Sequence, residues 1–236
     1  MSKTFLRAEW RKLAMANYSV DPKILEPYLP AHTEIDYWKG TCYVSLVGFM
    51  FLNTRLKGLS IPFHSSFEEV NLRFYVKYKD QLGWKRGVVF ISEIVPRLAL
   101  TLVANTLYGE HYQTLPMRHI WKKEESQMHT DYQWKSKRWN SFGIITSDTP
   151  VAMAKGSEEE FITEHFWGYT KLNSGRTSEY GVEHPRWEVY PTLQYEIDVD
   201  FEDVYGADFG FLNSAEPRSV FLAEGSEIKV MTGRKL

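Results

Sequence analysis

Two neighbouring runs of opposite character constrain this chain most. From Phe67 the residues alternate: Val70, Leu72, Phe74 and Val76 would share one face of a strand, and Glu69, Asn71, Arg73, Tyr75 and Lys77 the other. Residues 88–95 are almost wholly apolar, as expected of a strand buried on both sides. The exception, Glu93, would share a face with Val89, Ile91 and Val95 and must be paired, hydrogen-bonded or protonated. Asp80-Gln81-Leu82-Gly83 joins the runs as a turn. A hairpin turning near Leu82 places Arg73 roughly opposite Glu93, and a slip of one residue would undo that pairing. Pro96 then opens a helix that Gly109 ends. Leu98, Leu100, Leu102, Val103 and Leu107 mark it as buried, and Arg97, Thr101, Asn105 and Tyr108 form its one polar stripe.

Outside this region, strands are expected at 12–20, 34–38 and 42–52, with a loop over 56–66. An antiparallel meander covers 119–123, 128–135 and 141–146, and further strands fall at 169–173, 187–199 and 219–230. Asp21-Pro22 caps and opens a short helix to Tyr28. Ser157-Glu158-Glu159-Glu160 is a capping-box pattern for a helix to about Trp167, and another short helix lies at 201–205. With no repeat and no linker, the expectation is one domain over residues 1–236. Its class is α+β, predominantly antiparallel β, with a few short helices.

Composition narrows the function classes. A 43% apolar share supports a sizeable core, and a net charge of −2 argues against a general nucleic-acid binder. Residues 121–139 interleave lysines and arginines with Tyr132, Trp134 and Trp139; with Glu124, Glu125 and Asp131 among them, a hairpin whose aromatics cover the sheet is preferred over a single-strand nucleic-acid platform. The one cysteine, Cys42, allows no intrachain disulfide and reads as a small buried residue. Residues 1–17 are charged throughout, and the longest apolar run, 44–52, is too short to span a bilayer. No membrane partner and a cytoplasmic location are the expectations.

Asp21-Pro22-x-x-Leu25-x-x-Tyr28-Leu29-Pro30, then Glu34, the Glu69 strand, the buried strand and Tyr108-Gly109-Glu110-His111-Tyr112 follow in an order that resembles the YqjF-like family, over nearly the whole chain. That family is similar, more distantly, to acetoacetate decarboxylase. The resemblance implies a curved, cone-like antiparallel sheet around a pocket, helices outside and a homo-oligomer, and it matches Glu69 to a pocket glutamate. The decarboxylase works through a lysine imine in a W-G-F-P-K-K motif. One register over residues 108–113 puts Tyr112 and Gln113 at the two lysines; anchoring on Leu115-Pro116 puts Met117 and Arg118 there. No lysine occurs between Lys85 and Lys122, so imine chemistry of that type is not expected.

The candidate ligand-binding residues are therefore Glu69, Asn71, Arg73, Glu93, Tyr112, Arg118 and His111. Glu69, Asn71 and Arg73 read either as a polar wall for a small anion or carbonyl compound, with Arg73 as a carboxylate fork, or as an exposed salt-bridged face. His111 beside Glu110 suggests a general base, although neighbours on a strand face opposite ways. The Glu-His pairs at 110–111, 164–165 and 183–184 lack metal-ligand spacing, so no metal or other cofactor is expected. His165 reads as helix-end packing with a hydrogen bond. His64 beside Ser65 and Ser66 lacks a nucleophile-elbow motif. The expected partner is a small organic acid or carbonyl compound, handled by acid–base chemistry, bound without catalysis by a regulatory protein, or replaced altogether by an oligomeric scaffold role.

Overall fold

The computed structural model describes residues 3–60, 64–107, 109–172 and 175–236. The chain begins with β1 (Thr4–Ser19), α1 (Pro22–Leu25) and a 3-10 turn, then β2 (Thr33–Ile35), β3 (Tyr43–Leu56) and β4 (Leu59–Ser60). The hairpin β5 (Phe67–Asp80) and β6 (Gly83–Val95) leads to α2 (Leu98–Leu107) and β7 (Tyr112–Thr114). A meander of β8 (Met117–Glu124), β9 (Gln127–Lys135) and β10 (Trp139–Ser147) precedes β11 (Val151–Ala152) and α3 (Glu158–Thr163). The chain closes with β12 (Trp167–Lys171), β13 (Thr177–Glu183), β14 (Glu188–Tyr190), β15 (Thr192–Asp198), α4 (Phe201–Tyr205), β16 (Ser219–Met231) and β17 (Arg234–Lys235).

Strands β16, β1, β3, β5, β6, β12 and β13 lie side by side, and β13 pairs back onto β16 through Val182–Val230, so the sheet closes on itself. Closure removes the open edges a long sheet would otherwise expose. Bulges help to bend it: β1 shifts register against β3 between Arg11 and Ala14, where Lys12 takes a φ of 54°. Opposite, Gly225 (φ 80°) lies so close to the Trp10 carbonyl that a Cβ there would sit 1.9 Å from its oxygen.

The alternation along β5 separates two cores. Val70, Leu72, Phe74 and Val76 face outward, where the second sheet (β15, β10, β9, β8) covers them together with Tyr132, Trp134, Phe142 and Ile144. Tyr132 packs so closely on Gly48 of β3 that a Cβ there would lie 2.8 Å from its ring, and it donates its hydroxyl to the Lys12 carbonyl at 2.7 Å. The aromatic residues of the basic 121–139 segment are thus largely spent on packing: Tyr132 and Trp134 are fully buried. Inside the closed sheet lie Leu13, Met15, Tyr43, Val47, Phe49, Phe51, Phe67 and Tyr75. Helix α3, capped by Ser157 accepting from the Glu160 amide at 3.2 Å, seats Phe161 against Tyr43 and Tyr75. It ends at Thr163, short of the expected Trp167.

Several expectations change. Arg73 does not face Glu93: the turn sets Asp80 against Gly83, and a bulge at Ile91 then pairs Arg73 with Phe90 and Asn71 with Glu93. The same bulge flips the faces, so Glu93 looks inward with Val88, Phe90 and Val95, whereas Val89 and Ile91 look outward. Helix α2 begins two residues after Pro96, and its described leucines are not buried as expected, whereas Thr101 and Asn105 of the polar stripe bond to β7. Asn105 holds both the amide and the carbonyl of Tyr112 (2.8 and 3.0 Å), Thr101 meets Thr114 at 2.7 Å, and Leu98 and Leu102 stand 61% and 59% exposed. The side chains of Leu100, Val103 and Leu107, and Pro62, Tyr108 and Asn173 as a whole, lie outside the described residues. The expected strand at 187–199 is two strands split at Pro191, β14 joining the closed sheet and β15 the second one. Strand β13 was unmarked by any apolar run. Among the described residues no helix is long and apolar enough to cross a membrane.

Candidate functional site

A cavity of about 210 Å³ occupies the interior of the closed sheet. Its walls are mainly aromatic and aliphatic, with Trp10, Phe49, Phe51, Phe67 and Trp187 among them. One belt is polar. Asn71, Glu93 and Tyr112 form a row across β5, β6 and β7, because β7 runs parallel to β6 and pairs Tyr112 with Glu93. One strand step along β5, Glu69 accepts from Asn71 Nδ2 at 3.0 Å and from the Tyr112 hydroxyl at 3.1 Å. Glu110 enters from the segment before β7, accepts from Thr170 Oγ1 at 2.8 Å and is hydrogen-bonded to Tyr180. Gly168 makes room for that tyrosine: a Cβ at 168 would lie 2.2 Å from the Tyr180 ring.

Burial governs the charges. Glu69, Glu93 and Glu110 are 3%, 2% and 7% exposed. Desolvation raises Glu69 to about 7, with Asn71, Tyr112 and the Arg73 charge pulling it back down. Glu110 is likewise raised to about 7 by burial, against the pull of Thr170 and Tyr180. Glu93 goes furthest: burial, then the charges of Glu110 and Glu69, push it well above the usual carboxylate range. Three buried carboxyls facing one cavity disfavour one another's ionisation, so protons are retained among them at neutral pH. Arg73 is the one arginine or lysine among the described lining residues, and its Nε has no hydrogen-bond partner.

A second polar group adjoins the cavity. His165 packs on Tyr75 and Phe161, as expected of helix-end packing, and its Nε2 lies 3.2 Å from Asp36 Oδ2. Arg86 Nε holds the same oxygen at 2.6 Å. Burial lowers His165 to about 4, so the ring is neutral, with Nε2–H on Asp36 and Nδ1 left as a bare acceptor. His184, stacked on Trp187, also lines the cavity and is lowered by burial.

Of the residues singled out in the sequence, Glu69, Asn71, Arg73, Glu93 and Tyr112 come together here. The alternative of an exposed salt-bridged face for Glu69, Asn71 and Arg73 is overturned by their burial. Two candidates lie elsewhere. Arg118 belongs to the second sheet, donating to Gln133 at 2.6 Å and covering the Trp139 ring. His111 has an exposed side chain, and only its carbonyl is used, accepting from the Glu93 amide at 3.1 Å. Glu110, Tyr180, His165 and His184 were not among the candidates. Strand alternation around Tyr112 points to Glu110, since Glu110 and Tyr112 share a parity; the other three reach the cavity only through closure of β12 and β13. Among the described residues no group of three or more His, Cys, Asp or Glu is placed to hold a metal ion.

A model of the DUF2071 family, described as "Uncharacterized conserved protein", matches residues 7–227. The chain belongs to that family. It is 29% identical over 200 residues to "Uncharacterized protein YqjF" of Bacillus subtilis (strain 168), covering 83% of this chain and 78% of that one. Among solved structures, an acetoacetate decarboxylase-like enzyme from Sphingomonas wittichii RW1 matches with a TM-score of 0.67 at 11% identity, over 99% of this chain and 94% of that one. The enduracididine biosynthesis enzyme MppR complexed with pyruvate matches with a TM-score of 0.66 at 12% identity, over 100% and 91%. At these identities the likeness shows the fold: this family member has the acetoacetate decarboxylase-like fold.

Proposed function

We propose that the cavity binds a small organic acid or carbonyl compound and that its buried carboxyls transfer protons to and from it. One observation carries this reading: three carboxyls with raised pKa and one guanidinium converge on a mainly apolar cavity, with hydrogen-bonding atoms left unpartnered. Environment divides the labour. Glu93, with the least support for its charge, keeps its proton and donates it towards a ligand carbonyl. Glu69 receives two hydrogen bonds and lies under the charge of Arg73, so it ionises sooner and serves as the base. Arg73 orients a carboxylate or carbonyl oxygen through its free Nε. No lysine occurs among the described lining residues, so the proposed chemistry proceeds without an imine on the protein. Pyruvate in MppR, a protein of the same fold, supports the ligand class.

The test is thermal unfolding against keto acids, hydroxy acids and neutral carbonyl compounds. A member present at a hundred times its dissociation constant should add about 2.7 kcal/mol of stability. The shift should be lost in Arg73→Met and Glu69→Gln proteins that still fold. No shift across the panel sinks the proposal; a shift without turnover of the bound compound makes this a binding protein.

A further inference from the structure

The proposed function leaves an imbalance of charge and of hydrogen bonding inside the cavity. Three carboxyls face one guanidinium. The buried, unpartnered atoms lean the same way: Asn71 Oδ1, Glu93 Oε2, Glu110 Oε2 and His165 Nδ1 can accept, Arg73 Nε and Trp10 Nε1 can donate, and Thr54 Oγ1 can do either. The four residues that carry the acceptors are all less than a tenth exposed and all line the cavity. The orientation of two of the acceptors is fixed. The Asn71 amide nitrogen is committed to Glu69, and the Asp36 carboxylate holds the proton of His165 on Nε2.

A ligand built only of carboxylate and carbonyl groups brings acceptors to acceptors. It fits while the glutamates keep their protons and is repelled as they ionise. A protonated nitrogen satisfies the same oxygens in their ionised form, and it supplies the positive charge that the three-to-one excess lacks. The aromatic walls suit it too, since ring faces attract cations.

Resting on the proposed function, we infer that the ligand carries a basic nitrogen beside its carbonyl or carboxylate group, with the nitrogen held among Glu69, Glu93 and Glu110 and the oxygen group at Arg73. Binding of such a cation ionises carboxyls that were protonated in the free protein, so it releases protons to solvent. A plain acid does the opposite, drawing protons onto the cluster. The sign of the proton exchange therefore distinguishes the two. Besides Arg73, the other titratable groups on the cavity wall are Tyr112, Tyr180, His64, His165 and His184. The tyrosines are raised well above 10 by burial, and His165 and His184 are lowered by it, so none of these four releases a proton near neutral pH in the same sense; a His64→Gln protein carried through the same titration separates the fifth.

The experiment is calorimetric titration of the intact protein with levulinate and with aminolevulinate, which differ by one amino group, in buffers of different ionisation enthalpy between pH 6 and pH 8. Aminolevulinate should bind at least about tenfold more tightly than levulinate at pH 7, with net proton release, and its affinity should fall about tenfold towards pH 6. In Glu69→Gln and Glu110→Gln the ratio of the two affinities should shrink to about threefold or less, with an unfolding midpoint measured on each variant to show that it folds. Equal or tighter binding of levulinate, with proton uptake, would overturn the inference and leave the proposed function standing. Binding of neither compound, together with silence across the wider acid and carbonyl panel, overturns both. Magnesium or calcium chloride alone producing the same proton release would overturn the inference in favour of a simple cation site.

Discussion

At the scale of residues, the carboxyl cluster costs the protein stability. A carboxyl raised from its usual range to about 7 binds more protons folded than unfolded between roughly pH 4.5 and pH 7. The stability it contributes is therefore full below that window and is lost as pH rises through it. His165, lowered to about 4, works in the other direction between pH 6.5 and 4, but it is one group against three. Stability in urea should accordingly fall from pH 5.5 to pH 8. Glu110→Gln keeps an acceptor for Thr170 while removing a buried charge. It should gain on the order of 1–3 kcal/mol at pH 8, since each tenfold excess in proton affinity that the substitution relieves is worth about 1.4 kcal/mol, and almost nothing at pH 5. Urea denaturation of both proteins at the two values checks this; a gain that does not depend on pH would show that Glu110 is not the titrating group. The Arg73–Glu93 ion pair suggested by the sequence does not form, so Arg73→Ala carries no penalty for breaking one. Its effect should fall on Glu69, whose charge it supports.

At the scale of elements, the sequence reported periodicity faithfully and direction poorly. Alternation along β5 is in the structure as read, down to which residues share a face. Whether the polar face looks to water or into a closed sheet was settled by strands 100 residues further on, and no local pattern carries that. The bulge at Ile91 is an insertion of one residue into an apolar run, where every position looks alike, so the faces on either side of it could not be told apart. Helix α2 misled for a different reason. Its leucines suggested burial, but the short strand β7, paired with β6 along one edge, needs a partner for the backbone of Tyr112, which Asn105 supplies, while Thr101 holds the Thr114 hydroxyl. Asn105→Ala should therefore cost about 1 kcal/mol and loosen Tyr112 from the cavity wall, whereas Leu98→Gln should stay within about 0.5 kcal/mol of the parent. Thermal unfolding midpoints compare the two; a larger loss from Leu98→Gln would show that the helix is seated the other way round.

At the scale of the molecule, closure is what turns a polar strand face into a site. The pairing of β13 with β16 and of β6 with β12 buries the inner face, and the same closure brings Tyr180 and His184 to glutamates 70 or more residues away in sequence. The antiparallel β-rich class and the Glu69–Asn71–Arg73 wall were legible because they rest on residues two apart. The company those residues keep was not, because it rests on closure. Carbon-13 NMR of protein labelled at the glutamate carboxyls, titrated from pH 3 to pH 9, reads every glutamate in one experiment, with the exposed ones as an internal reference. Two resonances should titrate near pH 7 and a third well above the ordinary carboxylate range, and Glu69→Gln, Glu110→Gln and Glu93→Gln should each remove one of them. If every glutamate titrates between about 3.5 and 5, as unperturbed carboxyls do, the cluster is not a store of protons and the acid–base reading of this cavity is wrong.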